Sequence, residues 1–133
     1  MKTRFRLLFA LAALSLAGCY TPTTQAQYEA QVAQMGYGAA LPADWQGLVK
    51  TFMQMRLKDS DSAIWQFDEK TTESWAGESD RTGTRIAAGH VVKAMINAKN
   101  SYGGYTGFEP YQFIIRDGRV IAFIDSRHVW QLL

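Results

Sequence analysis

Asp125-Ser126-Arg127-His128, near the end of the chain, brings together the acid, hydroxyl and imidazole of a serine hydrolase. In that chemistry the imidazole takes the hydroxyl proton and the acid orients the imidazole, so all three must converge within hydrogen-bond reach. Successive residues of a strand do not converge. Ser126 and His128 would share a face about 7 Å apart, with Asp125 on the other side. No Gly-x-Ser-x-Gly elbow occurs elsewhere. His90 and His128 are the only histidines and Cys19 is the only cysteine. A zinc site needs three or four ligands at workable spacing, so neither a metal ligand nor a catalytic residue is assigned, and His90 reads as a polar residue at a strand end. The carboxylate pairs Asp68/Glu69 and Glu78/Asp80 lie in polar sequence and read as solvated charge rather than a glycosidase acid and base. Asp59 and Asp61 match positions 1 and 3 of a calcium loop, but Ala63 replaces an oxygen ligand and Ile64 the turn glycine. That segment reads as a turn.

Cys19 is the residue whose chemistry the sequence does specify. Lys2, Arg4 and Arg6 form a basic head, and residues 7–18 are uncharged. A basic head, an apolar run and a small-residue cleavage site make a secretory signal peptide, 1–18. The run is shorter than the roughly 20 apolar residues that span a bilayer. Leu16-Ala17-Gly18-Cys19 resembles the bacterial lipobox. The resemblance implies peptidase recognition of Leu16, Ala17 and Gly18, diacylglycerol on Cys19, cleavage before it, and acylation of the new amino terminus. The expected partner is then membrane lipid, with covalent lipid and no cofactor. Tyr20, not Asp, follows Cys19; by analogy with sorting in enteric bacteria this implies the outer membrane, facing the periplasm, in a cell with two membranes. Losing the leader takes fourteen basic residues to eleven against twelve acidic, so the charge falls from +2 to −1. A near-neutral chain without a Lys/Arg block excludes nucleic acid as a partner. Export permits disulfides, but with a single cysteine the fold must hold by apolar burial and hydrogen bonds.

Several elements must position whatever else the chain does. Residues 19–41 are rich in Thr, Gln, Ala and Gly and read as a flexible tether. Tyr28, Val32 and Met35 have the spacing for one or two helical turns between Gln25 and Met35. A flexible segment of that length spans on the order of 25 Å, enough to clear lipid headgroups. Pro42–Lys58 is the clearest helix, with Trp45, Leu48, Val49, Phe52 and Met55 along one side. Ala63–Asp68 alternates as a strand with Trp65 and Phe67 on one face. Glu69–Arg85 is polar and reads as a long loop. His90–Ile96 is a strand with His90, Val92, Ala94 and Ile96 on one face, and Asn97–Gly107 is a loop before Pro110 leads into a third strand. Tyr111–Arg116 and Arg119–Asp125 flank Asp117-Gly118, a strong type I′ turn signal. The preferred register pairs Ile115 with Val120, Phe113 with Ala122 and Tyr111 with Ile124. It also sets Arg116 opposite Arg119, where like charges are unfavourable. A bulged alternative joins Tyr111 and Phe113 to Ile121 and Phe123. The expected architecture is α+β: a single domain over 42–133, with one main N-terminal helix on a small antiparallel sheet of three to four strands ending in a β-hairpin.

The most distinctive internal stretch is Asn97-Ala98-Lys99-Asn100-Ser101-Tyr102-Gly103-Gly104-Tyr105-Thr106-Gly107-Phe108. It lacks the endings of a phosphate-binding loop and of a dinucleotide fingerprint. Together with Leu57-Lys58-Asp59-Ser60-Asp61-Ser62-Ala63 it resembles a small, uncharacterised domain of bacterial exported proteins and lipoproteins. Ser60 stands where that family usually has proline. The resemblance implies membership and no mechanism. Tyr102, Gly103, Gly104, Tyr105, Thr106, Gly107 and Phe108 form the candidate partner-contact loop, with Tyr105 the residue expected to be exposed. The function expected is that of a non-enzymatic binding or scaffolding module anchored in the envelope, with another envelope protein as partner. An inhibitor or exclusion factor acting on an envelope-targeting enzyme or secretion system is the alternative, and a hydrolase comes third for want of a nucleophile–base pair.

Overall fold

Two long strands carry the architecture, and hydrogen bonding rather than burial fixes their length. In the computed structural model, which describes residues 21–133, β1 (Ile64–Asp80) and β2 (Gly83–Lys99) are seventeen residues each and pair antiparallel. β3 (Tyr105–Arg116), β4 (Arg119–Ile124) and β5 (Trp130–Leu132) follow, and the five strands lie in the sheet in chain order. Two short helices, α1 (Gln25–Met35) and α2 (Trp45–Gln54), precede them.

This overturns the expected α+β architecture of one main helix on three to four strands. The fold is mostly antiparallel sheet, with five strands and two short helices. The miss has a physical cause. Most of 69–80 is exposed on both faces of an edge strand, so it shows no burial alternation, yet after a bulge between Asp68 and Thr72 its backbone pairs with β2 from Thr72↔Val91 to Asp80↔Gly83. Asp80 then closes the hairpin by accepting from the Thr82 and Gly83 amides at 2.7 and 3.2 Å. The supposed loop over Asn97–Gly107 likewise shrinks to residues 100–104, since β2 runs to Lys99 and β3 starts at Tyr105. Pro110 sits inside β3, opposite Met95. It is tolerated there because β4 pairs only with residues from Gln112 onward, so the missing N–H faces no neighbour.

Helices and sheet meet on one face. Val92, Ala94 and Ile96 of β2 join Phe113, Ile115 and Phe123 beneath Trp45, Val49 and Met53 of α2. Trp65 and Phe67 stack with centroids 5.7 Å apart, and Trp45 meets Phe67 edge-on at 5.3 Å. The helix is shorter than the expected 42–58, but Trp45, Leu48, Val49 and Phe52 of its expected stripe do pack on the core, and only the continuation to Met55 fails. Met53 is buried, whereas Met55 is 90% exposed beyond the helix end. Much of the expected tether is also ordered: Thr24 and Gln27 form a capping box that starts α1. Tyr28 and Val32 are buried, with the Tyr28 ring stacked on Trp75 at 5.2 Å. Gly77 makes this possible, because a Cβ there would lie 2.5 Å from the Tyr28 ring. Trp75 pairs with Ala88 and Phe67 with Ala94. These positions are an even number apart on β2, so both helices cover the same face.

The opposite face has its own cluster of Ala76, Ala87, Val91, Ile114 and Ala122, with Ile121, Trp130 and Leu132 packed against it. β5 reaches back to β2 there, where Arg85 donates to the Leu132 carbonyl at 3.4 Å. The terminal hairpin takes neither expected register throughout. Asp117 and Gly118 have φ of 50° and 73°, as a two-residue primed turn requires, and Ile115 pairs with Val120. A bulge then shifts the ladder, so Ile114 meets Ala122 and Phe113 meets Phe123. Phe123 thereby joins Phe113 under α2, and Ala122, expected beside Phe113, belongs to the other face.

Candidate partner-contact surface

Leu16, Ala17, Gly18 and Cys19 lie outside the described residues. The candidate partner-contact residues fall at the end of the sheet where β2 turns into β3. Asn100 builds that turn: its amide donates to the Gly104 carbonyl at 2.8 Å, and its side-chain oxygen accepts from the Tyr102 and Gly104 amides at 2.9 and 3.1 Å. Gly103, with φ of 81°, supplies the left-handed step. Behind the turn a bulge interrupts the ladder between Asn97 and Lys99. The Asn97 side chain accepts from the Gly107 amide at 3.0 Å, and the Thr106 hydroxyl donates to the Ala98 carbonyl at 3.2 Å.

The segment between α2 and β1 is stitched to this turn. Tyr105 donates its hydroxyl to the Ser62 carbonyl at 2.9 Å, Lys99 pairs with Asp59 at 3.6 Å, and Lys58 donates to the Ser101 hydroxyl. The two sequence stretches that stood out separately, 57–63 and 97–108, are therefore neighbours in space. Hydrogen bonding from Ser62, with the Lys99 ammonium behind it, holds the Asp59 carboxyl below its ordinary value. Ser62 also donates its amide to Asp59 at 3.3 Å, closing the turn read from Asp59-Ser60-Asp61-Ser62.

These contacts redistribute the expected roles. Tyr105 is exposed as expected, at 48%, but its hydroxyl is engaged with Ser62, and Tyr102 at the tip is far more exposed at 97%. Gly103, Gly104, Thr106 and Gly107 shape the backbone path beneath it. Phe108 is 40% exposed on the face away from the helices, and its cross-strand row Ile64–Asn97–Phe108 places Ile64, 45% exposed, on that same face. The next row sets Met95 beside Pro110 and Gln66. A shallow cavity of about 210 Å³ continues from Met95 and Pro110 to Asp68, Lys93 and Gln112. The sequence did not single out Ile64 or Met95. Each alternates out of phase with the core residues of its strand, but only the cross-strand register brings them to Phe108.

Asp125, Ser126 and His128 lie together in the connection between β4 and β5. The Asp125 carboxylate pairs with Arg127 at 2.7 Å and accepts from Gln131 at 3.3 Å. The Arg127 hydrogen bonds hold it below its ordinary value. His128 adopts φ of 58° in the turn, its amide bonded to the Asp125 carbonyl at 2.9 Å. His90 lies within β2 rather than at its end, with Nε2 3.0 Å from the Ala39 carbonyl. Among the described residues no three His, Cys, Asp or Glu side chains cluster as metal ligands, and no helix is long and apolar enough to cross a membrane. Compared with family models, with curated proteins and with solved structures, the chain matches none of them.

Proposed function

We propose that this chain is a lipid-anchored envelope protein whose domain is a non-enzymatic binding module, presenting the β2–β3 turn to an envelope protein. Tyr102 carries the reading. It is almost fully exposed on a turn whose backbone is fixed by Asn100, so little conformational freedom is lost when a partner covers it. Tyrosine is among the residues enriched at interface hot spots. Ile64, Met95 and Phe108 extend the same end of the sheet with exposed apolar surface, of the sort that marks interaction sites when contiguous. A second reading, an inhibitor that seats Tyr102 in an enzyme's cleft, draws on the same feature, because a single aromatic at the tip of a five-residue turn fits a concave site.

A photo-crosslinking residue at position 102, in cells expressing the full chain, tests the proposal. A discrete protein adduct at 102 and none at exposed position 119 is expected, and the adduct identifies the partner as a structural component or an enzyme. No adduct at 102, or the same adducts at both positions, would overturn it.

A further inference from the structure

Thr23 is held against the sheet so few residues after Cys19 that a domain anchored through Cys19 has little room to stand clear of lipid. Thr23 bonds through its hydroxyl to Ser79 at 3.1 Å and Thr84 at 2.6 Å, which face each other next to the tip of the β1–β2 hairpin. Thr24 then caps α1. The helix is held along its length by Tyr28 on Trp75 and at its end by Arg116, whose guanidinium donates to the Met35 and Gly36 carbonyls at 2.9 and 2.6 Å. Only four residue steps separate Cys19 from Thr23. Fully extended, they span at most about 15 Å.

We infer that the Ser79–Thr84 end of the β1–β2 hairpin stands against the lipid headgroups and the Asn100–Gly104 turn points away from them. The inference rests on the lipid anchoring proposed above. β1 and β2 separate the two ends by seventeen residues each, on the order of 50 Å of strand. The hairpin end suits a neutral headgroup boundary. Arg85 is paired with Glu78 at 2.6 Å, and Asp80 and Arg81 balance each other in charge. None of its residues is an exposed large apolar side chain, so the short chain, not insertion or a basic patch, sets the contact. Among the described residues, the exposed aromatics Tyr102, Tyr105 and Phe108 all lie at the far end. Their partner is therefore a protein standing off the bilayer, not the lipid surface.

The acylated full-length protein, reconstituted in phosphatidylethanolamine/phosphatidylglycerol vesicles carrying a headgroup-attached quencher, tests this. Cys19 is the only native cysteine, so once it is acylated a Thr82→Cys or Tyr102→Cys variant has one free thiol for a fluorophore. Quenching should be several-fold stronger at 82 than at 102. Inserting about 20 Gly/Ser residues between Pro22 and Thr23 should remove most of the quenching at 82, because a flexible linker of that length restores clearance. Equal quenching at both positions, or stronger quenching at 102, in protein that floats with the vesicles would overturn the orientation and leave the anchoring intact. Failure of the native protein to float, or equal flotation of Cys19→Ser, would overturn the anchoring itself and the orientation with it.

Discussion

Arg116 and Arg119 show how one side chain decides whether a local rule applies. They sit directly opposite each other beside the Asp117-Gly118 turn, where like charges repel. The structure removes the conflict by turning Arg116 away. Its guanidinium donates to Met35, Gly36 and Ala88 carbonyls, with Asp117 3.6 Å from it. The first two are at the C-terminal end of α1, where a cation also meets the negative end of the helix dipole. Asp117 in turn accepts from the Ala39 amide at 2.8 Å, so the turn holds the connection from α1 to α2. Arg116→Ala should therefore cost about 2 kcal/mol, in the range of lost charge-assisted hydrogen bonds. Arg119→Ala should stay within about 0.5 kcal/mol, as an ordinary surface change. Urea melts of the leaderless chain read both. Equal small effects would show that Arg116 does not clamp α1.

The terminal hairpin makes a sharper statement at the scale of the element. Without its bulge, Phe113 and Phe123 would fall on opposite faces of the sheet. With it they are paired, and both rings meet Phe52, at 6.0 and 5.3 Å between centroids. Each change to alanine should cost about 3–5 kcal/mol. Because they share a partner and face each other, the double variant should depart from additivity by about 1 kcal/mol or more. Strict additivity in denaturant melts would argue for the unbulged ladder. The sequence located this hairpin from Asp117-Gly118 and the flanking apolar runs, and it found the turn at Asp59–Ser62 from short polar side chains. It offered a bulge only as the alternative and could not choose it, because Ile121 and Phe123 fit either face equally well. Nor could it show the outer half of β1, where exposed Thr72 and Glu73 are held by pairing with Val91 and His90 and carry no apolar signature. α1 was legible only as a spacing of Tyr28 and Val32, since what fixes it, Gly77 beneath Tyr28 and Arg116 at its end, lies some fifty and eighty residues away in the chain. The candidate surface was half legible for the same reason: the Gly/Tyr stretch stands out by composition, but which tyrosine hydroxyl is engaged depends on Ser62, in the connection between α2 and β1.

Across the whole molecule, the carboxylates held below their ordinary values lie at the connections between elements. Asp59 is in the turn from α2 to β1, bonded by Ser62 and facing Lys99. Asp80 closes β1 onto β2 through Thr82 and Gly83, and Asp125 closes β4 toward β5 through Arg127 and Gln131. A carboxyl whose folded value is lowered contributes stability that is present above its unfolded value, about 3.9, and lost as pH falls through the folded one. Tyr111 works at the other limit. Burial first, then the Glu109 and Asp125 charges, pushes its hydroxyl above its ordinary value. Its contribution is therefore present below about pH 10 and lost as pH rises through the folded value. Stability should be level between roughly pH 5 and 9, falling on the acid side below about 4 and on the alkaline side above about 10. The acid loss should be gradual, since it is spread over three carboxylates of which Asp80 is exposed and Asp59 half-exposed, where solvent screens the interaction. Replacing Asp59, Asp80 and Asp125 together by asparagine should flatten the acid limb and leave the alkaline limb in place, as read from urea midpoints across pH. An acid limb as steep in the triple variant as in the native chain would place the acid sensitivity in other carboxylates and remove these turns from the account.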